Sequence, residues 1–306
     1  MIALRRNCWR IWLPREKKIR TELKIGTAHA RLLLKRLDIA GVADVYEVAH
    51  TLKLRVTEEE LDGCEGLLIR PQGIPRGIIA VKKSIRSEGR KRFTIAHEIG
   101  HYVLPGHDEY GSICEANEIE GWRNGANIAE READDFAAEL LIPTAVVRSR
   151  IVGSSPSLDL IQTIAEDCKS SLASSAWKYC DLTSEQCAVV WSEQGQVAWS
   201  RRSAEFPFFV RKGQMIKQAS FAFNCFRGEK VPSGPALVPA EAWIESTNLK
   251  EGAEIYEQSR ALPSYGSVLT LIWAKHNIEK KSDYQEQEDE SLDPKEFTVY
   301  RKHWPH

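Results

Sequence analysis

The sequence of 306 residues lacks the marks of several large protein classes. It has no apolar run approaching the length of about 18 residues that a membrane-spanning helix needs, so no membrane association is expected. Its 42 Lys and Arg against 43 Asp and Glu leave a formal net charge of −1, which gives no general affinity for nucleic acid or anionic lipid. The seven cysteines form no C-x-x-C pair, which is typical of reduced thiols. These features predict a cytoplasmic protein.

The length predicts about two domains. Glycine, proline and charge patterns divide the chain into a basic N-terminal arm, a first domain, a small helical connector of helix-turn-helix-like pattern and a mixed α/β C-terminal domain. The predicted limits of these four segments are 1–20, 21–152, 153–183 and 184–306.

The first domain has the α+β pattern of short strands followed by longer helices. Strands are predicted at Leu52–Val56, Gly66–Ile69 and Gly77–Val81, and helices at 88–104 and 128–141 with a polar loop at 106–127 between them. Further on, helices are predicted within 157–180, and strands at Cys187–Trp191, Gln196–Ser200, Val268–Ala274 and Phe297–Trp304.

The chemistry of the chain is concentrated in an H-E-x-x-H motif at residues 97–101. Residues i and i+4 share one face of a helix, so the imidazoles of His97 and His101 can both reach one zinc ion. Glu98 would then act as the general base for attack on a carbonyl. Gly100 is a poor helix former, and its presence is explained if another backbone passes close to the helix.

A catalytic zinc site also needs a third protein ligand. His107 lies six residues after His101, as the third ligand does in metzincins, but Leu104 stands where that motif has glycine. Glu132 is a further alternative.

Glu130 is the preferred third ligand. Asp134 follows it by four residues and therefore lies on the same helix face, where it would accept the outer N–H of a ligand histidine. Zn²⁺ is the expected ion, although Mn²⁺ accepts the same two imidazoles and carboxylate.

Two segments share the pattern of one peptidase family. Residues 92–101 read R-F-T-I-A-H-E-I-G-H, and residues 130–143 read E-R-E-A-D-D-F-A-A-E-L-L-I-P. They resemble the ImmA/IrrE family of zinc metallopeptidases, whose usual patterns are R-F-T-x-A-H-E-x-G-H and E-x-E-A-N-x-F-A-A-x-L-L-M-P. Asp134 departs from the family's usual Asn, but other H-E-x-x-H…E-x-x-x-D peptidases carry Asp there.

The resemblance implies a zincin-like peptidase domain and a cytoplasmic regulator that cleaves a helix-turn-helix repressor, which releases stress-response or mobile-element genes. It also implies that the strand Gly77–Val81 lies at a sheet edge, where an extended peptide could pair with it. Residues 184–306 would be a sensor-like or partner-binding domain. The connector offers several serines and the single Lys178 in its second helix, a composition that argues against direct DNA binding.

Two other functions stay open at this point. The chain could be a non-proteolytic transcription regulator or repressor-binding protein with a structural or sensing metal, which would not need Glu98. It could also be a metalloenzyme that acts on a non-protein amide.

Overall fold

The computed structural model describes residues 24–70, 76–107 and 123–279, with the backbone alone for 123–127. These residues form two compact units that divide between Leu141 and Ile142. The fold is mixed α and β, and none of the helices in the described ranges is long and apolar enough to cross a membrane. The four segment limits drawn from the sequence stay predictions.

The first unit combines four helices with one small sheet. Its elements are α1 (Ile25–Arg36), α2 (Val45–Thr51), β1 (Leu54–Glu59), β2 (Gly66–Ile69), β3 (Gly77–Lys82), α3 (Glu88–Val103) and α4 (Arg123–Leu141). The predicted helix at 88–104 and the three predicted strands are confirmed, with β1 displaced by two to three residues.

The sheet has the strand order β1-β3-β2, so β3 is the central strand. It pairs in parallel with β1, where Leu54 faces Gly77, and antiparallel with β2, where Gly66 faces Val81. The prediction that Gly77–Val81 lies at a sheet edge is therefore wrong. Four of the six residues of β3 are buried, as expected of a strand with neighbours on both sides, and within the described residues the edge strands are β1 and β2.

The ends of α3 follow from its sequence. The Ser87 hydroxyl caps the helix by accepting from the amide of Arg90. The helix ends at Val103 because Pro105 disfavours helical backbone at Leu104, which is extended. Residues 94–100 of α3 are buried, and they include His97 and Glu98.

Helix α4 begins at Arg123, five residues before the predicted start, so the predicted loop at 106–127 is wrong for its last five residues. These five residues include Gly125 and two asparagines, which have low helix propensity, so this first part of α4 depends on the helix that follows it and not on local propensity. Residues 108–122 of that loop and the predicted strand Phe297–Trp304 lie outside the described residues.

The second unit consists of helices and one antiparallel sheet with the order β5-β4-β8-β7-β6. β8 is buried at every position, and Trp243, Phe206 and Ile255 lie in the core. Two helices are separated by a turn at Lys169, as predicted. The elements are α5 (Thr144–Ile151), α6 (Leu158–Asp167), α7 (Leu172–Leu182), β4 (Gln186–Glu193), β5 (Gln196–Arg202), α8 (Phe221–Phe226), β6 (Ala236–Pro239), β7 (Glu254–Leu262) and β8 (Ser267–Ala274).

Candidate metal centre

Helix α3 brings two imidazoles together. His97 and His101 are one helical turn apart, and their Nε2 atoms lie 3.0 Å from each other. Both side chains are about one-tenth exposed, so they are largely shielded from water but still accessible from one side.

Helix α4 supplies a carboxylate to the same point. Oε2 of Glu130 lies 3.4 Å from Nε2 of His97, and Oε1 lies 3.3 Å from Nε2 of His101. A tetrahedral zinc ion with bonds of about 2.0–2.1 Å holds its ligand atoms about 3.3–3.4 Å apart. In the described ranges these three residues form the group that could hold a metal ion. The two distances from Glu130 match this geometry, and the 3.0 Å between the imidazole nitrogens is somewhat shorter.

Asp134 fixes the orientation of His97. Its Oδ1 lies 2.8 Å from Nδ1 of His97, so Nδ1 carries a hydrogen and Nε2 keeps its lone pair for a cation. Burial lowers the pKa of His97, but hydrogen bonds to Asp134 and Glu130 outweigh it and raise the pKa to about 9. Without a cation the cluster therefore favours a proton between the imidazole and the two carboxylates.

The remaining two candidates are His107 and Glu132, which are not part of the three-residue group. They lie on the Nδ1 side of His101, away from Glu130. Nδ1 of His107 is 3.0 Å from Nδ1 of His101, and its Nε2 is 3.1 Å from Oε2 of Glu132. His107 is 2% exposed, so it is not the solvated loop side chain that its position after the helix would favour. Burial is the largest cause of the lowered pKa of His107.

Glu98 is buried on the sheet side of α3, next to the first residue of β2. A Cβ atom built on Gly66 would lie 2.7 Å from Oε1 of Glu98 and 2.5 Å from Cγ2 of Thr94. Only glycine leaves room there for the Glu98 carboxylate. Sequence reasoning did not select Gly66, although a glycine at a strand position is a known sign of close approach by another group.

The other end of β2 also reaches α3. The guanidinium of Arg70, the residue that follows Ile69, donates to the backbone carbonyl of His101 and stacks over the ring of Tyr102. Contacts from both ends of β2 thus fix this strand alongside the residues of the H-E-x-x-H motif. Nothing in the sequence pattern pointed to Arg70.

Gly100 and Gly26 allow α4 to approach. A Cβ on Gly100 would lie 3.2 Å from Cα of Ala133, which confirms that a backbone passes close to this residue. A Cβ on Gly26 of α1 would lie 1.9 Å from the carbonyl oxygen of Glu132. The segment of α4 that carries Glu130 and Asp134 is thus held between two glycines of neighbouring helices.

One family model matches part of the chain. Residues 49–176 match the family model Peptidase_M78, described as the IrrE N-terminal-like domain. No curated protein matches the chain significantly. Among solved structures, a Mycobacterium tuberculosis transcriptional regulator is similar at 12% identity and a TM-score of 0.47, over 81% of this chain and 75% of that one.

Proposed function

We propose that this chain, whose residues 49–176 match the IrrE N-terminal-like domain model, is a zinc-dependent endopeptidase that cleaves a helix-turn-helix transcriptional repressor. The observation that carries the proposal is the convergence of His97, His101 and Glu130 at distances of 3.0–3.4 Å, with Glu98 on the same helix. Two histidines one helical turn apart and a carboxylate from a second helix form the ligand set of one class of zinc peptidases.

Each residue has a separate role. His97, His101 and Glu130 hold the ion, and Asp134 keeps His97 in the tautomer that leaves Nε2 available. Bound zinc supplies Lewis acidity that polarises the scissile carbonyl. Glu98 accepts a proton from the attacking water and delivers it to the leaving amine nitrogen. Mn²⁺ would be held by the same ligands.

The substrate would approach along β2. In the described ranges β2 pairs on one side only, with β3, and its two ends contact α3 at Glu98 and at His101 through Gly66 and Arg70. An extended segment of the repressor that added to the free side of β2 would lie beside the general base. We assign the pairing with substrate to β2 and not to β3, because β3 is the central strand and pairs on both sides.

The rest of the chain would serve regulation. We assign residues 184–306 to a sensor-like or partner-binding domain and the region around α6 and α7 to packing or repressor docking rather than to DNA reading. A repressor acts where it binds DNA, so we place the peptidase in the cytoplasm as well. Cleavage would release genes of a stress response or a mobile element.

The alternative is a transcription regulator that binds the repressor and uses its metal only structurally. The two functions differ in their need for Glu98, since this residue is absent from the proposed ligand set. Glu98→Gln removes the base and keeps the size of the side chain. Glu60→Gln is the matched control, because the side chain of Glu60 is 80% exposed.

The test is co-expression of the wild-type chain, Glu98→Gln and Glu60→Gln with the helix-turn-helix protein encoded beside it. We expect one cut in the partner, seen as intact mass, with the wild type and Glu60→Gln only, while metal content is equal in all three. Cleavage by Glu98→Gln would refute the catalytic role. Absence of any cut by metal-loaded wild type would favour the non-proteolytic regulator.

A further inference from the structure

We infer that His107 and Glu132 form a hydrogen-bonded relay that positions His101 for metal binding. The inference rests on the metal site of the proposed function. It gives His101 a supporting group of its own, as Asp134 supports His97, and it assigns a role to the two residues that the sequence left as alternative ligands.

The direction of each hydrogen bond follows from the chemistry of imidazole. If Nε2 of His101 faces a cation, its Nδ1 must carry the hydrogen. The neighbouring Nδ1 of His107, at 3.0 Å, can then only accept, so the hydrogen of neutral His107 is on Nε2. That nitrogen lies 3.1 Å from Oε2 of Glu132, which accepts. All three groups are satisfied in one arrangement, and both nitrogens of His107 are used.

The backbone places His107 for this contact. The helix ends at Val103, and Gly106 has a φ of +83°, a conformation that favours glycine. The chain therefore turns back so that His107 is buried against His101. The side chain of Glu132 is 23% exposed, and it carries the relay to the edge of the site.

A role for His107 as third ligand would require one of its nitrogens to be free for the ion. Nδ1 contacts the nitrogen of His101 that faces away from Glu130, and Nε2 contacts Glu132. Glu130 meanwhile reaches Nε2 of both histidines. The geometry thus favours Glu130 as the ligand and His107 as a positioning residue.

The test is zinc affinity of the full chain, measured by competition with a chromogenic chelator. His107→Leu keeps an apolar side chain of similar bulk but cannot accept from His101. His107→Gln is the matched variant, because an amide can accept from His101 and donate to Glu132. Loss of an outer partner of this kind typically weakens metal binding about 10–100-fold. We expect this loss for His107→Leu, and an affinity within about threefold of the wild type for His107→Gln.

Three results would overturn the inference. Unchanged affinity in His107→Leu would show that His101 needs no such support, and equal loss in both variants would show that His107 only packs. Failure of the wild type itself to bind zinc would refute the proposed metal site, and the relay with it. Should His107→Leu not fold, Glu132→Ala provides the second variant. It leaves Nε2 of His107 without its acceptor and is expected to weaken zinc about 10-fold, and no change would be decisive against the relay.

Discussion

Replacement of Gly26 by alanine tests whether the packing of α1 sets the position of α4, the helix that carries the proposed ligand Glu130. An added Cβ would lie 1.9 Å from the carbonyl oxygen of Glu132 and 2.8 Å from the amide nitrogen of Phe136. Both are backbone atoms of α4, so no side-chain rotation can relieve the contact. Helices α1 and α4 must move apart, and Glu130 moves with α4.

The expected change in the stability of the first unit in Gly26→Ala is the sum of two opposing contributions. Alanine improves helix propensity by up to about 1 kcal/mol over glycine. Overpacking against a rigid partner costs about 3 kcal/mol, the upper part of its usual range. The net loss of unit stability is about 2 kcal/mol, which corresponds to a factor of about 30 in the folded-to-unfolded ratio.

Gly89 provides the matched control. It also lies in a helix, but a Cβ there would meet only the Ser87 hydroxyl at 3.9 Å. Gly89→Ala should therefore stabilise the first unit, by about 0.4–1 kcal/mol. The same substitution is expected to have opposite signs at two helical glycines.

Native-state hydrogen exchange resolved to peptides from residues 128–141 is the suitable assay, because it reports on α4 apart from the second unit. We expect protection of these amides to fall about 30-fold in Gly26→Ala, by the factor above, and to be unchanged or higher in Gly89→Ala. Equal stabilisation by both substitutions would refute the proposed steric control of α4 by α1.

Two further predictions concern carboxylates that accept hydrogen bonds. Asp134→Asn keeps an oxygen that can accept the hydrogen bond from His97, whereas Asp134→Ala removes it. In competition with a chelator, zinc affinity should therefore fall less than 10-fold in Asp134→Asn and about 10–100-fold in Asp134→Ala. Equal losses in the two variants would contradict the role of this acceptor. In the second unit, burial raises the pKa of Glu257 despite hydrogen bonds from Trp243, Ser259 and the amide of Ala222. A raised folded-state pKa means that the native state binds the proton more tightly than the unfolded state does. The free energy of unfolding therefore decreases as pH rises from about 4.3 through the folded-state pKa of Glu257. In urea titrations at several pH values this decrease should be smaller for Glu257→Gln than for the wild type, and an equal decrease would exclude Glu257 as its source.

Local signals in the sequence predict the helices around the site well. Ser87 and Pro105 bound α3 by capping and by steric restriction, and both effects act on neighbouring residues alone. The spacing of histidines and carboxylates within α3 and α4 fixes which side chains share a face. This spacing pairs His97 with His101 and Glu130 with Asp134, whereas the meeting of the two pairs was expected from the need for a third ligand and from the family resemblance.

The order of the strands in the sheet could not be predicted from local signals in the same way. β2 and β3 are both short and apolar, and a sequence does not state which of them has one neighbour and which has two. The apolar run of β3 is compatible with burial in a central strand, but it does not show on how many sides the strand is paired. The contact between Gly66 and Glu98 joins residues far apart in sequence, and no periodicity encodes it.

The role of His107 could not be predicted from its spacing in the sequence. Its spacing from His101 matches that of a metzincin ligand, but the ligand geometry depends on where the chain turns. Here the glycine that permits the turn is Gly106, two residues later than in that motif, and His107 consequently meets the outer nitrogen of His101. Sequence spacing alone could not distinguish a ligand from a residue that supports a ligand.

Gly100 lies at the proposed metal site although it offers no ligand atom. An added Cβ would lie 3.2–3.3 Å from Ala133, so the backbone of α4 would have to yield by a few tenths of an ångström. Metal–ligand distances are typically held within about 0.2 Å, and Glu130 and Asp134 are on the same helix as Ala133. A displacement too small to disturb the fold is therefore large enough to disturb the ligand set. A glycine at position 100 is therefore explained by the need to hold α4, and with it the carboxylate of Glu130, at an exact distance from α3.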